Sequence, residues 1–189
     1  MRNHAAAQGN IAPRRENTVE LSVDQNNLIV RVNEAWDAFA MDNDGAYLAG
    51  GSVLGSNLLD SISGKVSKNF TLALLELARN REREVLFDYR CDAPRLRRFM
   101  RAQLKSDSSG NVHFIHEHLY SETFPHEVAF KTAVQRGRDT LIRCSICNHV
   151  RHDGLWVTPD YVCRELFTGE AAPVIYGICP GCLELLKEC

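Results

Sequence analysis

Two cysteine pairs, Cys144-Ser-Ile-Cys147 and Cys179-Pro-Gly-Cys182, stand 31 residues apart near the C-terminal end of the chain. A two-residue gap lets one tight turn present both thiolates of a pair to the same ion, and two such turns complete a tetrahedral shell. Pro180 and Gly181 give the second pair the composition that a tight turn needs. The spacing predicts one zinc ion per chain, held by Cys144, Cys147, Cys179 and Cys182. A shell of four thiolates keeps no open position, so the ion adds folding energy rather than catalysis. The segment 143–189 is small enough to need such a clamp. Trp156, Tyr161 and Tyr176 are expected to form its core, with an aromatic interaction surface as the alternative.

Other cysteine chemistries fit less well. A thioredoxin-type dithiol relies on a thiolate activated at a helix N-terminus, within a strand-helix-strand pattern that is absent here. Covalent haem attachment needs histidine directly after the second cysteine, and Asn148 and Leu183 stand there. His149 or His152 could replace one cysteine as a ligand, whereas Cys163 and Cys189 read as bystanders.

What precedes this segment is long enough for a core of its own, since 189 residues suit one medium domain plus a small appendage. Apolar residues make up 44% and charged residues 24%, which argues against a wholly disordered or fibrous chain. A net charge of -2 writes no general attraction to nucleic acid or anionic membrane into the composition. Residues 1–17 are polar and basic, read as a disordered N-terminal segment, and lack the apolar run of a signal peptide. No stretch of about 18 apolar residues exists either, so no membrane association is expected. A cytoplasmic setting follows, in which seven cysteines favour metal binding or redox chemistry over disulfides.

Alternation of Val19, Leu21 and Val23 predicts a strand over Thr18–Val23, followed by a turn at Asp24-Gln25-Asn26-Asn27 and a second strand over Leu28–Val32. Asn33 can cap a helix that places Trp36, Phe39 and Ala40 on one face. Asp42–Gly55 reads as loop or short helical turns. Val66, Phe70, Leu74 and Leu77 then predict an amphipathic helix from Lys65 to about Arg79. Three strands follow, Glu84–Cys91, Leu96–Lys105 and Asn111–Tyr120, the last two joined by the turn Asp107-Ser108-Ser109-Gly110. The fold class is α+β: one five-stranded antiparallel sheet with flanking helices, a linker or connecting helix over 123–142, and the cysteine module over 143–189.

This order, with Asp24 and Ile29 before Val32-Asn33-x-x-Trp36 and a later Val53-x-Gly55-x-Asn57-Leu58-Leu59-Asp60, resembles a PAS domain over 18–122. The resemblance implies a pocket between sheet and helices that holds a small molecule or cofactor. Flavin photosensors of this family carry a reactive cysteine directly after the asparagine matching Asn57. Leu58 stands there, which argues against a flavin adduct. Haem-binding members commonly place an axial histidine on or near the helix matching Lys65–Arg79, which has none.

His113, His116 and His118 lie on the last strand, where His116 and His118 share a face with Phe114. They could ligate a metal or haem, against the plainer reading of a packed sheet face. Cys91 could be a redox sensor, against the reading of a small buried hydrophobe. Arg97, Arg98 and Arg101 beside Phe99 could bind phosphate or stack on bases, against that of a sheet edge defended by charge.

The string Cys144-x-x-Cys147-x-x-Val150-Arg151, with Gly154-x-Trp156, Tyr161 and Gly177-Ile178-Cys179-Pro180-x-Cys182-Leu183, is similar to zinc-ribbon-like, cysteine-rich tails that follow PAS or receiver domains in bacterial signalling proteins. The position of Tyr176 is often histidine in those tails.

The two resemblances imply a bacterial sensory or regulatory protein, not an enzyme, that acts through a signalling protein partner or by forming a homodimer. No Gly-rich phosphate loop or nucleophile elbow is present. A nucleic-acid-binding regulator using Arg136, Arg138, Arg143 and Arg151 is the first alternative. Asp153, Asp160, Glu165, Glu170, Glu184 and Glu188 oppose it. A thiol switch that releases zinc on oxidation is the second.

Overall fold

The computed structural model describes residues 18–80, 84–167 and 170–184. The N-terminal segment 1–17 expected to be disordered, and Cys189, lie outside the described residues.

Strands β1 (Thr18–Val23), β2 (Ile29–Val32), β3 (Val85–Arg90), β4 (Leu96–Ser106) and β5 (Val112–Thr123) form one antiparallel sheet in the order β2-β1-β5-β4-β3. The two expected hairpins are its framework. Asp24 closes the first turn by accepting the main-chain N–H groups of Asn26 at 2.8 Å and Leu28 at 2.9 Å. Asp107 closes the second by accepting those of Ser109 at 2.9 Å and Asn111 at 3.0 Å.

Alternation along the strands puts Leu21, Val23, Val85, Met100, Ala102, Leu104, Val112 and Phe114 on the covered face, all buried. The covering helices are α1 (Glu34–Asp42) and α2 (Lys65–Asn80), with 3₁₀ turns at Ala46–Leu48 and Leu58–Ser61. Asn33 caps α1 by accepting the N–H of Trp36 at 3.0 Å, and Asn57 accepts that of Leu59 at 2.9 Å at the second 3₁₀ turn.

The apolar stripe of α2 is rotated from the sequence expectation. Ser67, Phe70, Leu74, Leu75 and Ala78 are buried, and Val66 is half exposed. Ser67 occupies the face because its hydroxyl meets that of Ser145, in the first cysteine turn, at 2.7 Å.

The remainder of the chain forms a second sheet of β6 (Phe130–Thr132), β7 (Leu141–Cys144), β8 (Val150–His152), β9 (Leu155–Val157) and β10 (Ala172–Gly177), in the order β6-β10-β7-β8-β9. Short helices α3 (Pro159–Glu165) and α4 (Pro180–Leu183) accompany it. Two expectations change here. No helix forms among residues 123–142; the chain runs extended and contributes β6, parallel to β10. The cysteine segment 143–189 also does not form its sheet alone, because β10 lies between β7 and β6 of the preceding stretch and runs parallel to both.

Its core is aliphatic. Val150, Val162, Ala172 and Val174 are fully buried, whereas Tyr161 is 41% exposed and Trp156 packs against the core of the first sheet.

The two sheets share one core. Cys144, Ile146, Ile178 and Cys179 belong to the same buried cluster as Phe70, Leu75, Val85 and Leu104. Gly64, with φ +86, lets the start of α2 lie against β10; a Cβ there would sit 2.6 Å from the Tyr176 carbonyl oxygen. Among the described residues no helix is long and apolar enough to cross a membrane.

Candidate metal centre and adjoining cavities

The parallel pairing of β7 and β10 sets Gly177 opposite Cys144, so both cysteine turns leave the same end of the second sheet. The Sγ atoms of Cys144, Cys147, Cys179 and Cys182 all lie within 4.8 Å of one another and could hold a metal ion. Among the described residues these four are the group of metal-ligating side chains that comes together.

In the first turn, Cys144 donates its N–H to the His149 carbonyl at 2.8 Å, and Asn148 donates back to the Cys144 carbonyl at 3.1 Å. Asn148 takes the left-handed conformation, φ 61, that lets the chain reverse. In the second turn, Pro180 opens the one-turn helix α4, and Cys182 donates its N–H to the Cys179 carbonyl at 3.1 Å. The Cys179 N–H donates to Cys144 Sγ at 3.3 Å, a bond that favours thiolate at that sulfur.

Hydrogen bonds from Cys147 and Cys182 hold the Cys144 thiol far below its ordinary range. Donation to Cys144 pushes Cys147 up to about 12, and it pushes Cys182 up as well. A cation bound among the sulfurs would relieve this competition by favouring thiolates.

The first turn is fastened to the edge of the first sheet. β3 is an edge strand. Its last residue, Arg90, donates its main-chain N–H to the Ile146 carbonyl at 2.8 Å, and its carbonyl accepts the side-chain amide of Asn148 at 3.2 Å.

Arg90 also pairs with Asp92 at 2.5 Å; both side chains are nearly buried, and Arg143 stands 4.0 Å from the same carboxylate. Arg97 bridges to Glu122 and, at 3.2 Å, to Asp160 in α3. Arg98 bonds Asn43 and stacks over Phe39, and Arg101 pairs with Asp88 at 2.7 Å. The three β4 arginines are therefore engaged in internal pairs, and β4 is an interior strand rather than the expected edge. Arg143 lies over Phe130 at 4.4 Å, while Arg136, Arg138 and Arg151 are exposed.

The strand histidines part company. His113 bonds Ser22 and Asp107 on the outer face, and His118 bonds Ser121 near the exposed end of β5. His116 points into the core, where its Nδ1 meets the Tyr89 hydroxyl at 2.9 Å. Burial pushes His116 down to about 4 and pushes the Tyr89 hydroxyl up. His149 and His152 are outside the thiol group, His152 lying 3.3 Å from Asp153. Cys163 packs with Phe124 and Val128, outside the thiol group.

Tyr89 and His116 form a wall between two cavities. One, of about 230 Å³, lies beneath α1 and also touches Cys91. The other, of about 200 Å³, lies beneath α2 and reaches Ile146 of the first cysteine turn. Tyr89 and Ile146 also border an open cleft beside Cys147 and Cys182. Tyr89 and Ile146 belong to no motif that marks them in the sequence. The alternation Val85, Phe87, Tyr89 and an isoleucine inside a cysteine turn were the available signals.

No family model matches the chain, and no curated protein matches it. Solved structures similar to it include the C-terminal domain of a protein from Streptococcus mutans, at 16% identity and a TM-score of 0.38 over 54% of this chain and 75% of that one. At that level the likeness has no bearing on function.

Proposed function

We propose that this chain is a sensory or regulatory protein with a PAS-like first sheet, in which Cys144, Cys147, Cys179 and Cys182 hold one structural zinc ion. The cavities under α1 and α2 receive a small molecule, and the cysteine module passes the change to a protein partner or a second copy of the chain. The reading carries no catalytic step.

The observation that carries it is the double hydrogen bond between Arg90 and the first cysteine turn, with Ile146 of that turn lining the cavity under α2. A change in the cavity therefore bears directly on the ion-binding turn. The strand order β2-β1-β5-β4-β3 with helices over one face supports the PAS-like part. The donor set supports zinc: tetrahedral Zn–S bonds of about 2.3 Å require sulfurs about 3.8 Å apart. Cys147 and Cys179, from different pairs, are 3.7 Å apart. Four thiolates leave no open position, which fits a role in holding structure.

Metal analysis with an absorption spectrum, on the purified chain and on Cys179→Ser, tests the reading. One zinc per chain, lost in the variant, is the expected result. A chain that folds identically without metal would sink it.

A further inference from the structure

The cavity beneath α1 has a lining whose polar groups are nearly all spent. The Trp36 indole N–H donates to the Leu48 carbonyl at 3.0 Å, and the Asn43 amide nitrogen donates to the Phe39 carbonyl at 2.8 Å. The Asn43 amide oxygen accepts from Arg98, and the Tyr89 hydroxyl is paired with His116 Nδ1. His116 Nε2 has no hydrogen-bond partner among the described residues, although the ring lines the cavity. The rest of the wall is aromatic or aliphatic, apart from the Cys91 thiol.

Charge is missing from this wall. Among the described residues no Lys, Arg, Asp or Glu lines it, and burial keeps His116 an uncharged imidazole and Cys91 a thiol near neutral pH. An ion entering would lose much of its water to a wall that is itself uncharged, and the Arg98 guanidinium behind that wall is already engaged by Asn43 and Phe39, so entry is costly. Size narrows the choice further. A dry apolar cavity of about 150 Å³ accommodates benzene. The 230 Å³ here leaves room for a substituted single ring.

We propose that this cavity binds a compact, uncharged ring compound whose hydrogen-bonding group pairs with His116 Nε2. The proposal rests on the sensory reading above and supplies its ligand class. His116 provides the stronger directional contact, beside the weaker Cys91 thiol, and the aromatic walls provide contact area. Because Tyr89 is bonded to the same imidazole, an occupant that draws on His116 also perturbs the wall shared with the second cavity.

The test uses the full chain loaded with metal and three probes of one shape: 4-methylphenol, para-xylene and 4-methylbenzoate. Nuclear magnetic resonance follows the His116 ring nitrogens and the Trp36 indole N–H during titration. 4-Methylphenol is expected to saturate the site, with para-xylene about five- to tenfold weaker for want of one hydrogen bond. 4-Methylbenzoate is expected not to bind. His116→Leu should abolish the preference for 4-methylphenol while keeping para-xylene binding, and His116→Gln should restore part of it.

Comparable binding of the benzoate, equal binding of the two neutral probes, or binding of none overturns the proposal. Hydrogen exchange at Ser145 and Ile146 separates this from the sensory reading. If a charged or larger molecule alters exchange there, the ring-compound class falls and the sensory reading stands. If 4-methylphenol binds with the expected preference and exchange there is unchanged, the sensory reading falls and the ring-compound class stands.

Discussion

Asn148 donates its side-chain amide to the Arg90 carbonyl at 3.2 Å from a left-handed backbone position, φ 61, and is 7% exposed. One residue therefore reverses the first cysteine turn and fastens it to the edge of β3. Asn148→Gly keeps the turn and loses the bond, which costs about 1 kcal/mol. Asn148→Ala also strains the backbone by about 1–2 kcal/mol more. Urea denaturation of both variants checks the order wild type, Gly, Ala.

Metal removal should act on the whole fold. Cys144 and Cys179 lie in the same buried cluster as Phe70 and Leu75. Chelation is expected to lower stability by several kcal/mol, in a single transition seen alike by far-ultraviolet circular dichroism and by the nuclear magnetic resonance signal of the Trp36 indole N–H. Two separated transitions, with the first sheet unaffected, would contradict the shared core.

Gly64 and Gly154 offer a matched pair of substitutions. Both have positive φ, +86 and +82. At Gly154 the space around a Cβ is open, so Gly154→Ala costs only the conformational penalty of about 1–2 kcal/mol. At Gly64 the Cβ would meet the Tyr176 carbonyl at 2.6 Å, and backbone must move. Gly64→Ala should cost at least about 2 kcal/mol more than Gly154→Ala, by thermal or urea denaturation.

His116 sets a pH window. Its folded pKa lies at about 4 against the ordinary 6.5, so between these values the unfolded chain binds the extra proton. The stability is fully present above pH 6.5 and falls as the pH drops toward 4, by at most about 3 kcal/mol. His116→Leu should flatten that part of the stability profile. A decline equally steep in the variant would assign it to other groups.

Much of the fold is legible in local signals. The hairpin turns at Asp24 and Asp107, the Asn33 cap and the two Cys-x-x-Cys turns are short-range chemistry, visible in a few adjacent residues. The second sheet was hidden because β6 has three residues, too few for a period, and joins β10 only through chain distant in sequence. The roles of Arg97 and Arg98 were hidden for a related reason. Their partners Asp160 and Asn43 are set by tertiary packing, so an arginine-rich strand reads as an edge when it is interior. His116 was singled out for its strand face, but its bond to Tyr89 crosses from β5 to β3.

The side-by-side course of β7 and β10 fixes where both cysteine turns begin, whatever the chain does between them. The excursion through β8, β9 and α3 starts and returns at positions the two strands already hold. Its length is therefore no parameter of the coordination geometry. Residues added at the exposed Asp153-Gly154 bend would lengthen the molecule there and leave the spacing of the four sulfurs unchanged.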